Sequence, residues 1–170
     1  MAKSRPPSGR GAQPTAPSPG PAAASTSTVA SDPTRRERYR DAFVVVTLEA
    51  DGALLRITRS SLAHPDIAAL LGSYRAVIAV LDDIERRGRT LLFDTRAPVG
   101  RNDPAFEQAM AVLRPRIDQG FVRIGVLVAS AIGALQLKRW VSADGIERIV
   151  THDEAVLLPI LLADLPSRRT

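Results

Sequence analysis

Apolar runs separated by polar turns extend from about residue 43 to residue 164 and predict alternating strands and helices. Residues 43–49 are β-branched and aromatic, which predicts a strand, and residues 54–58 predict the returning strand. Asp51 and Gly52 lie between them and are typical of a tight hairpin turn. Two strands joined this closely should pair antiparallel.

The next apolar positions recur at helical spacing and predict one buried stripe, made by Tyr74, Val77, Ile78, Leu81 and Ile84. Upstream, His64-Pro65-Asp66 resembles a separate helix start, with Pro65 at the first helical position. A short helix near 65–71 should therefore lead into the long one. Gly88 lies just past the stripe and predicts a left-handed cap at the helix end.

Residues 90–94 are apolar without alternation, which favours a parallel central strand buried on both faces. Asp103 and Pro104 then predict the cap and first position of a helix. Pro115 should kink or end this helix near Arg114, because proline cannot donate a backbone hydrogen bond. The apolar stripe of this helix comprises Phe106, Met110, Leu113 and Ile117.

The remaining chain predicts two more strand–helix pairs. Residues 121–128 and 146–150 are the strands, Ser130 caps the first helix, and Thr151 with Glu154 predicts a capping box for the last. The expected buried stripes of the two helices are Ala134, Leu137 and Val141, then Val156, Leu157, Ile160 and Leu161. The predicted class is α/β in the order ββαβαβαβα, with a mixed, mostly parallel sheet.

Composition divides the chain into a tail, residues 1–40, and a domain, residues 41–166. The first part of the tail, residues 1–34, is rich in proline, alanine and serine without apolar periodicity, which predicts disorder. Arg35–Arg40 is interpreted as a solvated linker, with contact to nucleic acid or anionic lipid as the alternative. The tail carries the whole formal net charge of +5, so nucleic-acid binding is not expected of the folded part.

The absence of cysteine excludes disulfides, thiolate catalysis and zinc sites built on sulfur. No apolar stretch approaches the ~20 residues of a membrane span. The N-terminus lacks the apolar segment of a secretory signal, although it resembles an organelle transit peptide. Scarce lysine with abundant arginine and alanine is typical of GC-rich bacterial genomes, where organelles are absent. The lack of cysteine fits a reducing cytoplasm, and the expected location is therefore cytoplasmic.

Several local strings are similar to the SpoIIAA-like superfamily, which includes bacterial STAS domains and small SEC14-type proteins. The similar strings are Leu91-Leu92-Phe93-Asp94, Asn102-Asp103-Pro104, Gly125-Val126-Leu127-Val128, Ile132-Gly133-Ala134-Leu135-Gln136 and Val150-Thr151-His152-Asp153-Glu154-Ala155. The resemblance implies the fold and a non-catalytic, regulatory protein-interaction role in bacterial signalling. Its alternative implication is a SEC14-like protein that binds a lipid or small molecule, and no cofactor is expected in either case.

The chain departs from this family at the phosphorylation site. Phospho-switched members carry Asp-Ser or Asp-Thr at the start of the helix after the third strand, where this chain reads Arg101-Asn102-Asp103-Pro104-Ala105. The resemblance therefore does not carry the switch, because no hydroxyl is present. Thr95 carries the nearest hydroxyl, and it lies on the other side of the loop.

Ligands of open α/β sheets bind beyond the carboxyl ends of the strands. This rim should gather six polar residues: Asp94, Thr95, Arg96, Arg101, Asn102 and Ser130. Helix N-termini and arginines there suit a small anion. Capping and turn formation explain several of the same residues without any ligand.

The helix after Ser130 offers a second candidate surface, for a protein partner or a lipid. It carries apolar residues on two faces, and the candidate partner-contacting residues are Ile132, Leu135, Arg139 and Trp140. The two histidines, His64 and His152, are interpreted as helix-start residues. They make a weak case for catalysis or a metal site, so neither is expected.

Overall fold

The computed structural model describes residues 35–98, 103–141 and 147–165, without the side chains of residue 136 and residues 138–141. The strands are β1 Arg36–Arg40, β2 Val44–Glu49, β3 Leu54–Arg59, β4 Thr90–Asp94, β5 Arg123–Leu127 and β6 Ile149–Thr151. The helices are α1 Ile67–Asp82, α2 Pro104–Asp118, α3 Ala131–Val141 and α4 Glu154–Leu162. A 3-10 turn at Ala50–Gly52 joins β2 to β3.

The six strands form one sheet in which neighbours follow the order of the chain. β1, β2 and β3 pair antiparallel, whereas β3 to β6 pair parallel. This confirms the predicted α/β class, with a mixed sheet and helices. It also confirms the antiparallel hairpin and the central parallel position of β4, which explains why residues 90–94 are apolar on both faces.

The first strand corrects the prediction that the folded part begins after residue 40. Arg36–Arg40 forms β1 at the sheet edge, not a solvated linker, and pairs with β2 through a register irregularity between Glu37 and Tyr39. Tyr39 packs against the main core, and its neighbours are mostly exposed. Charged residues and a bulge are common on edge strands, because they discourage pairing with other chains. Residues 1–34 of the predicted tail lie outside the described residues.

The helices occupy both faces of the sheet. α1, α2 and α3 pack on one face, where Ile57, Leu91 and Val126 point toward them, and we call this the three-helix face. Of the described helices, α4 is the one that packs on the opposite face, where Leu157 and Leu161 are fully buried. Successive side chains of a strand point to opposite faces of the sheet. Adjacent residues at the end of β3 therefore lie on different faces and have different neighbours.

The starts of α1 and α4 and the ends of α1 and α2 differ from the predictions. α1 is one continuous helix whose cap is Asp66, which accepts a hydrogen bond from the Ala69 N–H at 2.7 Å. The Asp66 carboxylate can accept a hydrogen bond from the first turn, as a helix cap must. The helix therefore begins after Asp66, and Pro65 lies outside it. Gly88 is left-handed, as predicted, but it belongs to the turn before β4, because α1 already ends at Asp82.

α2 begins as predicted, with Asp103 accepting a hydrogen bond from the Phe106 N–H at 3.0 Å and Pro104 in the first turn. It does not end near Arg114 but continues through Pro115 to Asp118. The carbonyl that Pro115 leaves without an intrahelical donor belongs to Ala111, which is exposed and can bind water. The predicted apolar stripe of α2 is confirmed as part of the main core.

The expected capping box of α4 is wrong. The cap is Asp153, which accepts hydrogen bonds from the first turn of α4, whereas Thr151 belongs to β6 and accepts from the Asp153 N–H at 3.1 Å. Glu154 turns toward Arg56 of β3 and Arg96 of the loop after β4 instead of back to the cap. Val156 and Ile160 of the predicted stripe are exposed, at 53% and 42%, because α4 packs on the sheet through a narrower line of leucines.

Candidate functional site

The predicted rim lies at the carboxyl ends of β4 and β5, but its members face different surroundings. Asp94, Thr95, Arg96 and Ser130 are described, whereas Arg101 and Asn102 lie outside the described residues. The structure brings Asp94 and Arg96 together on the α4 face, where their side chains form an ion pair at 2.5 Å. Thr95 and Ser130 are held separately, by hydrogen bonds with the backbone.

Asp94 and Arg96 belong to a larger charged network, which we define as Glu49, Arg56, Asp94, Arg96 and Glu154. Arg56 lies at its centre, with its side chain only 8% exposed. Its guanidinium contacts Glu49 at 3.0 Å and Glu154 at 2.6 Å, and lies 3.6 Å from Asp94. Three carboxylates therefore surround one buried cation. Alternation in β3 places Arg56 on this face, between Leu55 and Ile57 of the opposite face.

Arg96 closes the network at the surface. Its guanidinium contacts both Asp94 and, at 2.8 Å, Glu154, and its pKa is raised by these carboxylates. Burial favours a higher pKa for Asp94, but the hydrogen bonds from Arg96 and the charges of Arg96 and Arg56 outweigh it, and the net pKa is lowered. An incoming anion at Arg96 would have to compete with two carboxylates that already bind it.

The other two described rim residues perform structural tasks. The Thr95 hydroxyl donates to the Leu127 carbonyl at 2.7 Å, and the Thr95 N–H donates to the same oxygen at 2.8 Å. Ser130 caps α3 as predicted, because its hydroxyl accepts from the Gly133 N–H at 3.2 Å. Both contacts fix the loops that follow the parallel strands.

The candidate partner helix α3 exposes part of its predicted surface. Ile132 is 69% exposed and Leu135 is 65% exposed, whereas Ala134 packs toward β6. We define Ile132 and Leu135 as the α3 patch. They lie three residues apart, so they share one side of the helix. The side chains of Arg139 and Trp140 lie outside the described residues.

The sequence analysis missed a second polar group on the three-helix face, at the end of β3. We define the arginine cluster as Arg59, His64 and Tyr74. The Arg59 guanidinium contacts the Tyr74 hydroxyl and the His64 Nδ1, each at 3.4 Å. His64, interpreted from sequence as a helix-start residue, is 5% exposed and stacks on Phe43 with ring centroids 4.2 Å apart.

The aspartate beside this cluster is fully occupied by other donors. Asp41 accepts hydrogen bonds from the hydroxyls of Tyr39 at 3.0 Å and Ser73 at 2.6 Å, and from the N–H groups of Phe43 and Val44. Burial opposes its ionisation, but these four donors outweigh that effect and lower its pKa. Asp41 thereby joins β1, β2 and α1. The sequence signal for this role was a lone aspartate between two strands, which does not reveal its distant partner Ser73.

The described residues contain no group of three or more histidine, cysteine, aspartate or glutamate side chains suited to a metal ion. Within the same part of the chain, every helix is too short or too polar to cross a membrane. Comparisons with protein families, curated proteins and solved structures gave no match to this chain.

Proposed function

We propose that this domain is a STAS/SpoIIAA-like regulatory module that acts in the bacterial cytoplasm by binding another protein. The observation that carries the proposal is the α3 patch, in which Ile132 and Leu135 expose more than 60% of their surfaces. Isolated exposed apolar residues are ordinary, but two neighbours on one helix face form a surface that a partner can cover.

The resemblance and the folded architecture both support this proposal. The chain alternates strand and helix from β3 to α4, as the resemblance leads us to expect, and α3 lies beside the last parallel strand. The proposed partner presents an apolar surface, because Ile132 and Leu135 offer no charge. The domain binds without the phosphorylation switch of related antagonists, because residues 96–127 contain no serine or threonine.

Site-specific photo-crosslinking in the native host tests the proposal. A photoreactive residue at position 135 should capture a defined protein, whereas one at position 112 should not. Val112 is the matched control, since it is apolar and 70% exposed but lies on α2. Binding of the purified partner should then fall at least 10-fold for Leu135→Asp, a loss of about 1.4 kcal/mol, and remain unchanged for Val112→Asp.

The alternative from sequence, a SEC14-like lipid or small-molecule carrier, predicts a different outcome. Native mass spectrometry of the chain purified from its host would then show a bound lipid at near-unit stoichiometry, and position 135 would crosslink to no protein. Equal crosslinking at positions 112 and 135 would contradict α3 docking.

A further inference from the structure

The guanidinium of Arg59 has far fewer partners than its position demands. A guanidinium carries five N–H donors, and Arg59 uses two of them in long contacts of 3.4 Å, to Tyr74 and His64. Its Nε is buried and has no hydrogen-bond partner within the described part of the chain. Buried polar groups are nearly always satisfied, so an unsatisfied one indicates a missing ligand, ion or water.

Comparison with the other enclosed arginines shows what is missing. Arg56 contacts three carboxylates, and Arg148 is paired with Asp118. Over residues 35–98, 103–141 and 147–165, Arg59 has no carboxylate within ion-pair distance, although its side chain is partly buried. A partly buried charge is more stable with a counter-ion than without one, so the surroundings of Arg59 favour an anion.

The groups around Arg59 suit an anion. The pKa of the fully buried Tyr74 is raised, mainly by burial, although the charges of Arg59 and Arg114 act in the opposite direction. Tyr74 therefore keeps its proton at neutral pH. Because its oxygen accepts from Arg59, its own O–H remains available as a donor. The charge of Arg114 acts on this hydroxyl in the same direction as that of Arg59, and the charge of Asp41 opposes them as a smaller effect.

The histidine beside Arg59 forms an aromatic wall of the same cluster. A guanidinium can only donate, so a hydrogen bond from Arg59 to the Nδ1 of His64 requires an unprotonated Nδ1. The His64 ring is stacked on Phe43, and the Tyr74 ring lies over Phe93 with centroids 6.3 Å apart. Aromatic side chains thus hold both neighbours of the guanidinium in place.

We propose that Arg59 and Tyr74 form a binding site for an oxyanion, a carboxylate or phosphate group carried by a small ligand. The Nε and one terminal nitrogen of Arg59 offer the two parallel donors that such groups bind bidentately. Tyr74 adds its O–H, and the site lies at the carboxyl end of a parallel strand, where open α/β sheets bind ligands. It is separate from the α3 patch, so its test does not depend on protein docking.

Thermal unfolding of the full chain tests this site, with inorganic phosphate or malonate as the probe and sodium chloride holding the ionic strength constant. Either probe should raise the Tm in a saturable way, and the more effective one identifies the group that the ligand carries. Arg59→Gln should weaken the response at least 10-fold. Arg75→Gln is the matched control, because Arg75 is exposed on α1, and it should respond like the wild type.

Histidine NMR gives a second readout that does not require a folded Arg59 variant. The chain has two histidines, so the ring signals of His64 can be assigned with His152→Gln. In the wild type, the His64 signals should shift on titration with the effective anion while those of His152 stay unchanged. The proposal is overturned if both probes leave the Tm and the His64 signals unchanged, or if a folded Arg59→Gln or Arg59→Lys variant binds as tightly as the wild type.

Discussion

The carboxylate of Glu154 at the start of α4 accepts a hydrogen bond from Arg56 of β3 at 2.6 Å, across 98 positions of the chain. This contact attaches the last helix to the middle of the sheet. It also explains why Glu154 does not complete the expected capping box. A charge-assisted hydrogen bond with a buried guanidinium is stronger than one with a single neutral N–H at the helix start.

Loss of Arg56 should therefore be costly. Arg56→Met leaves Glu49, Asp94 and Glu154 without their common cation, and we expect the free energy of unfolding to fall by about 3 kcal/mol. Urea unfolding at neutral pH measures the change. Arg75→Gln, on the exposed side of α1, should stay within about 0.5 kcal/mol of the wild type. An equally small effect for Arg56→Met would show that the network adds no net stability.

Stability should also fall in acid because of Asp94 and Asp41. The pKa of each carboxyl is lower in the folded chain than its ordinary value of 3.8. Each therefore contributes stability that is fully present above about pH 4 and is lost as the pH falls through the folded-state pKa. Urea unfolding across this range should show a steep acid loss. Asp94→Asn should be less stable at pH 7 and should lose less on acidification, and an unchanged slope would contradict this assignment.

Local signals predicted the parts of the fold that depend on neighbouring residues. The cap of α2 is an example, since Asp103 and Pro104 act within one turn. β1 was missed because Tyr39 is the only apolar residue among its five, and its strand conformation comes from pairing with β2.

The candidate sites show the same difference between contacts with neighbouring residues, which the sequence reveals, and contacts with distant residues, which it does not. The sequence showed that Asp94 ends a strand and that Arg96 follows it in the next loop. It could not show that Arg56 and Glu154 contact these two side chains from other elements. Arg59 was overlooked because its role depends on Tyr74 from α1 and His64 from a loop. The available signal was the alternation of β3, which continues to Arg59 and places it beside Ile57 on the three-helix face.

The edge strand should contribute measurably to stability. A chain beginning at Asp41 lacks β1, the ion pair of Arg35 with Glu49 and the Tyr39 hydrogen bond to Asp41, all of which a chain beginning at Arg35 keeps. We expect the shorter chain to be less stable by about 1–3 kcal/mol, because it loses strand pairing and part of the core. Thermal unfolding of the two chains measures the difference. Identical Tm values would mean that β1 does not support the sheet.

The last prediction concerns Thr95, the hydroxyl nearest to the position at which phospho-switched STAS proteins, which the sequence resembles, carry their acceptor. Its side chain and its N–H both donate to the Leu127 carbonyl, so the hydroxyl is engaged in joining β4 to β5. Thr95→Val should lower the free energy of unfolding by about 1 kcal/mol, the usual contribution of one hydrogen bond. Thr95→Glu should be more damaging than Thr95→Val, because its carboxylate would replace a donor and face the Leu127 carbonyl. A phosphate there would do the same, and so we expect no regulatory phosphorylation of this residue. Phosphopeptide mapping of the protein from its native host decides the matter: stoichiometric phosphate on Thr95, with Thr95→Glu still folded and altered in partner binding, would make this threonine the switch.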